Sequence, residues 1–215
     1  MTARKFNLTD RILSEVDNAL RVVAARPSAA RAMPARDAPE GDEGLTDSQR
    51  MESARLMRVN HAGEIAAQAL YRGQALLATD SRLREELLQA ADEEHDHLVW
   101  CEQRARQLGG RTSRLAPLWY GGSFLIGMAA GLAGDKLSLG FLAETERQVT
   151  EHLDGHLARL PAHDRASRDI ISHMRDEEMA HSEGAIARGG STLPEPVSRA
   201  MRLVAGVMTS VSYRV

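Results

Sequence analysis

The sequence predicts an all-α fold, a four-helix bundle closed by one long connection, and three observations carry that prediction. Ala, Leu, Glu, Gln and Arg, all good helix formers, dominate the middle of the chain, while aromatic residues make up only 4% of it. Apolar residues recur at helical spacing over four long stretches, about 46–78, 81–108, 137–159 and 164–188. The first and last pairs are joined by short connections, whereas the second and third stretches are far apart in the chain. Four helices with one crossover make the ferritin-like arrangement.

In chain order, Leu8, Ile12, Leu13, Val16, Leu20 and Val23 fall at helical intervals behind a capping candidate at Asn7 or Thr9. They predict an amphipathic N-terminal helix within 1–25. Pro27, Pro34 and Pro39, among small and charged residues, then predict a flexible linker over 26–45. The bundle domain, 46–215, follows. Gly109-Gly110 closes its second helix, "LPAHD" separates the third from the fourth, and "GGSTLPEP" stops the fourth.

The crossover, 115–136, opens on "LAPLWYGGSFLIGMAAGLAG", residues 115–134, a run without charge. Its length could in principle span a bilayer. Pro117 and five glycines oppose that, and a span would put the first two bundle helices on the opposite side from the last two. The run is therefore read as a buried or membrane-surface segment. The last element, "SRAMRLVAGVMTSVSYRV", places Ala200, Leu203, Val204, Val207, Met208 and Val211 on one stripe, for packing onto the bundle or for contact with lipid.

Composition narrows the function. A formal net charge of -3 supplies no broad field for gripping nucleic acid. The single cysteine, Cys101, can build neither an internal disulfide nor a thiolate metal site and is read as a small buried hydrophobe. The opening "MTARKFNLTDRILSE" has no secretion-like apolar run, so a reducing, cytoplasmic setting is expected.

The chemistry is written twice, as "DEEHDH" at 92–97 and "DEEMAH" at 176–181. A Glu three residues before a His puts both side chains on one helix face, within reach of a common ion. Dinuclear sites in this bundle take Glu-x-x-His from two helices and one Glu from each of the others. In the first copy Glu94 with His97 and Asp92 with His95 share the spacing. Met179 stands where His95 does in the first copy, so superposition selects Glu94 with His97 and Glu178 with His181. Glu93 and Glu177 fall on a neighbouring face and are read as solvated charge.

On the first bundle helix Glu64 is the lone carboxylate in "MRVNHAGEIAAQALYRGQ". On the third, Glu146 precedes Glu178 by 32 residues, much as Glu64 precedes Glu94 by 30; Glu144 is the alternative, and Glu151 fits worse. The candidate ligands are Glu64, Glu94, His97, Glu146, Glu178 and His181. Four carboxylates and two imidazoles suit two iron ions, with manganese the alternative, and argue against structural zinc. Tyr71 shares the face of Glu64 and could donate a hydrogen bond near the ions, or be an ordinary core tyrosine. His152 could orient a ligand.

At these residues the chain resembles the demethoxyubiquinone hydroxylases, di-iron monooxygenases of ubiquinone biosynthesis. "MRVNHAGEIAAQALYRGQAL", "EEHDHLVWCEQR", "LWYGGSFLIGMAAGLAGDKLSLGFLAETERQVTEHL" and "DEEMAH" look like that family's core blocks. The resemblance implies the same six ligands, with Glu94 and Glu178 bridging the ions as catalytic carboxylates and Glu64 and Glu146 more terminal. It implies O₂- and electron-dependent hydroxylation of a polyprenyl methoxy-methyl-benzoquinol, and so an electron donor. Peripheral attachment to the cytoplasmic face of the inner membrane is expected with it, while the sequence leaves open whether a homo-oligomer forms or a lipid-presenting protein is a further partner. Iron storage, another ferritin-like oxidase and a lipid-binding module are the competing readings.

Overall fold

The computed structural model describes residues 8–24, 28–34 and 44–215. Among the described residues there are seven helices and no strand: α1 (Leu8–Ala24), α2 (Asp47–Leu77), α3 (Ser81–Gln107), α4 (Ala116–Leu132), α5 (Asp135–Arg159), α6 (Arg165–Ala187) and α7 (Glu195–Ser212). The four bundle helices agree with the sequence-based expectation to within two residues. Asn7 lies outside the described residues, so the N-cap of α1 does too.

Local chemistry sets the ends. Thr46 caps α2 with a full capping box: its side chain accepts from the Gln49 amide, and Gln49 Oε1 accepts from the Thr46 amide at 3.0 Å. Asp80 and Asp164 cap α3 and α6 in the same manner, each accepting from a first-turn amide. Between α4 and α5 the chain turns at Gly134, whose φ of 99° is strained for a residue with a side chain. Asp135 then takes the Thr79 and Asp80 amides at 3.1 and 3.0 Å, tying the start of α5 to the α2–α3 turn.

Antiparallel α2 and α3 pack as one pair and α5 and α6 as the other. Two apolar layers fill the bundle at different heights. One holds Leu56, Met57, Trp100, Cys101, Leu153, Ile170, Ile171 and Met174; the other holds Tyr71, Leu83, Leu87, Leu139, Leu142 and Ala185. Each fully buried side chain of this size contributes about 1.5–3 kcal/mol. On every helix the candidate ligands fall between these two layers in sequence, so the apolar layers hold a polar girdle shut from both ends. Cys101 is buried, its thiol 3.7 Å from the Met174 sulfur, as a small core residue would be.

The crossover helix α4 lies along α2 through glycine. A Cβ on Gly127 would stand 2.8 Å from the Leu70 carbonyl carbon, and one on Gly73 would stand 2.9 Å from the Met128 nitrogen. Its other face leaves Leu118, Leu125, Ile126 and Leu132 exposed. No helix among the described residues is long and apolar enough to cross a membrane.

Helix α1 docks through Ala19, Val22 and Val23 near Tyr120 of α4, to which Asn18 donates at 3.1 Å; Ile12, Leu13, Val16 and Leu20 stay exposed. Helix α7 is held at its end by Arg58, which donates to the Ser212 and Tyr213 carbonyls at 2.7 and 2.6 Å. Leu203, Val204 and Val207 of its stripe face outward, not onto the bundle.

Residues 28–34 depart from the expected flexible linker. Ala29 and Met33 pack against the apolar core, and the Ala30 amide donates to Asp96 at 2.7 Å.

Candidate metal centre

The structure brings all six candidate ligands into one buried cluster. Glu64, Glu94, His97 and Glu178 form one group whose donor atoms lie within 4.8 Å of one another, and Glu94, Glu146, Glu178 and His181 form a second. Glu94 and Glu178 belong to both. Each histidine turns Nδ1 inward: His97 Nδ1 lies 3.2 Å from Glu94 Oε2, 3.1 Å from Glu178 Oε1 and 3.8 Å from Glu64 Oε2. His181 Nδ1 lies 4.0 Å from Glu94 Oε1, 3.6 Å from Glu178 Oε2 and 3.7 Å from Glu146 Oε1. Each shared carboxylate therefore offers one oxygen to each imidazole.

Charge and hydrogen bonding show what the cluster demands. Burial pushes the Glu64 and Glu146 carboxyls well above the usual carboxylate range, reinforced by the neighbouring carboxylates. For His181 burial works the other way, but the facing carboxylates of Glu146, Glu178 and Glu93 prevail and raise it to about 12. Surrounding carboxylates likewise raise His97 against its burial. Glu178, despite burial, is held below the carboxylate range by the two histidines. Two imidazoles cannot neutralise four carboxylates.

Among the described residues, Glu94 Oε1, Glu146 Oε2, both oxygens of Glu178 and His181 Nδ1 are buried without a hydrogen-bond partner. Buried polar atoms without partners cost about 1–3 kcal/mol each, more when charged. Inward-facing hard oxygen donors and two imidazole nitrogens, short of positive charge, fit a pair of divalent ions.

The surroundings hold what the sequence reading missed. Glu177 Oε2 lies 2.7 Å from His97 Nε2, and Glu93 Oε2 lies 2.5 Å from His181 Nε2. These two were read as solvated charges; instead each fixes the outer nitrogen of the histidine on the other helix and leaves Nδ1 free to face inward. The signal was present, since both copies repeat the first Glu of the pair as faithfully as the second.

Tyr71, fully buried, donates to Glu146 Oε1 at 2.5 Å, so it is at once core and part of the site. Glu144 turns away to Arg147, 2.8 Å off, and Glu151 also pairs with Arg147. His152 does not reach the cluster: its ring sits 4.0 Å from that of His156, and it lines a cavity of about 480 Å³ with Val59 and residues of α7.

The model of the ubiquinone biosynthesis protein COQ7 family matches residues 51–212, which include the whole cluster. The chain belongs to the COQ7 family. Among relatives of this COQ7-family chain, the 3-demethoxyubiquinol 3-hydroxylase of Azoarcus sp. (strain BH72) is 55% identical over 96% of the chain and 99% of its own length. The protein of that name from Chromobacterium violaceum is 52% identical over 97% of the chain and 100% of its own, and that from Ralstonia pickettii 49% identical over 97% and 100%.

Proposed function

We propose that the chain is a 3-demethoxyubiquinol 3-hydroxylase whose six clustered side chains would hold two iron ions, with Glu64 and His97 in one group of donors, Glu146 and His181 in the other, and Glu94 and Glu178 common to both. The observation that carries this reading is the split of Glu94 and Glu178, one oxygen toward each histidine, in a chain matching such hydroxylases nearly end to end. Bound there, the ions supply the redox chemistry that activates O₂, one oxygen atom entering the quinol ring and the other leaving as water with two electrons and two protons consumed.

The protein's own part is preorganisation. Glu93 and Glu177 hold the imidazoles in one orientation, and Tyr71 anchors Glu146 and stands ready to share a proton with it. The apolar layers above and below exclude water. Exposed apolar faces on α1, α4 and α7 support peripheral attachment to the cytoplasmic side of the inner membrane, where a polyprenyl quinol resides. Both α4 and α7 would lie along the lipid surface, not through it.

The test is direct. Protein purified from iron-supplemented cells is expected to hold two irons per chain and to convert demethoxyubiquinol to the hydroxylated quinol with O₂ and a reductant. Glu178→Gln is expected to abolish turnover with helical content retained. Full turnover by that variant, or a preference for zinc without oxygen reactivity, refutes the assignment.

A further inference from the structure

The two imidazoles are not supported alike. Glu93, which serves His181, has its other oxygen bonded by the Gln89 amide nitrogen at 2.9 Å, a partner on its own helix. Glu177, which serves His97, has its other oxygen 3.3 Å from His173 Nε2 on its own helix and, closer, bonded by Arg31 Nη1 at 2.6 Å, a partner 146 residues away on the segment preceding α2. The same guanidinium donates through Nε to Asp96 Oδ2 at 2.7 Å, next to His97 in the chain. The Ala30 and Arg31 amides close on Asp96 as well, at 2.7 and 3.3 Å.

Below the guanidinium lies Trp100, its ring centroid 4.9 Å from the Arg31 Cζ and 5.3 Å from the His97 ring. Arginine's planar fork can satisfy two carboxylates and stack on an indole at the same time, which an ammonium cannot. His97 is fully buried behind this arrangement, whereas the His181 side chain is 20% exposed.

We propose that Arg31 is a positioning residue for the metal position served by His97, acting through Glu177, so that a segment outside the four-helix bundle makes the two ion positions inequivalent. It rests on the reading that the six clustered residues hold two ions. Fixing Glu177 between Arg31 and His97 fixes the rotation of the imidazole and hence the direction of Nδ1. The His181 position, whose supporting Glu93 is otherwise hydrogen-bonded only within its own helix, by Gln89, is the looser one. Arg31 touches no candidate ligand and leaves the bridging carboxylates alone.

Two measurements on the full-length chain test this. Anaerobic cobalt(II) titrations, followed by absorption and calorimetry, compare the wild type with Arg31→Ala, Arg31→Lys and Glu93→Gln. The wild type is expected to take two ions in two steps. R31A is expected to weaken one step about tenfold, R31K to recover part of that loss, and E93Q to weaken the other step. In metal-free protein at fixed pH, ¹⁵N spectra of the histidine rings are expected to move for His97 and stay for His181 in R31A.

Unchanged His97 signals in R31A, or both binding steps weakened alike, overturn the proposal. A wild type that fails to take two ions while R31A still shifts His97 alone removes the two-ion reading and leaves Arg31 as the residue that orients His97. Thermal unfolding of each variant separates these effects from loss of fold.

Discussion

Alanine at Gly127 and alanine at Gly122 are expected to move stability in opposite directions, although both glycines belong to α4. Replacing glycine by alanine inside a helix gains about 1 kcal/mol of backbone preference. At Gly122 nothing lies within 4 Å of the added methyl, so that gain stands alone. At Gly127 the methyl would sit 2.8 Å from the Leu70 carbonyl carbon and 2.9 Å from its Cα, with the carbonyl oxygen nearer still.

All three are backbone atoms of α2, so no side-chain rotation relieves the overlap and the two helices must part. Overpacking of this kind costs about 1–3 kcal/mol, and rigid backbone on both sides places it at the upper end. Set against the propensity gain, the net loss is about 2 kcal/mol. For a chain of this size about 1 kcal/mol shifts Tm by about 2–4 °C. G127A should therefore melt about 4–8 °C below the wild type and G122A a few degrees above it, by circular dichroism or calorimetry. If G127A melts at or above the wild type, α4 is not seated on α2 through its glycine face, and the account of the crossover fails.

Two further outcomes are expected. Tyr71→Phe removes the donor to Glu146 Oε1 from a buried site; a hydrogen bond to a charged group contributes about 1.5–3 kcal/mol, and ferrous-iron titration should show affinity reduced about tenfold or more, whereas wild-type affinity would mean the hydroxyl merely fills space. His61, buried in α2, is pulled down from 6.5 to about 4 by burial, with Arg106 adding to it. The unfolded chain thus binds the proton first as pH falls, so this group's contribution is intact above about pH 6.5 and is lost toward pH 4. The full loss is about 3 kcal/mol, at a slope approaching about 1.4 kcal/mol per pH unit. Denaturation of wild type and His61→Gln between pH 7 and 4.5 should show the variant's pH dependence flatter by that slope, and equal slopes would refute the shift.

Much of the fold was legible because periodicity and punctuation act within a helix: capping residues, glycine pairs and apolar spacing gave four bundle helices within two residues of those observed. The six clustered residues were legible for the same reason, since a Glu-x-x-His pair is a statement about one helix face and its repetition removed the decoys Asp92 and His95. The roles of Glu93 and Glu177 were not, because each acts on a histidine carried by another helix, across a gap that spacing along one chain does not encode. Arg31 was hidden further, in a proline-rich stretch whose anchors are 65 and 146 residues away. The outward stripe of α7 reads identically whether it faces a protein core or water.

The crossed arrangement in which Glu93 braces His181 and Glu177 braces His97 has an evolutionary consequence. Neither hairpin is a self-sufficient half: each lends the other its supporting acid. A substitution in one acidic triplet is felt at the opposite imidazole, so the repeats are interleaved dependents and can drift only in concert.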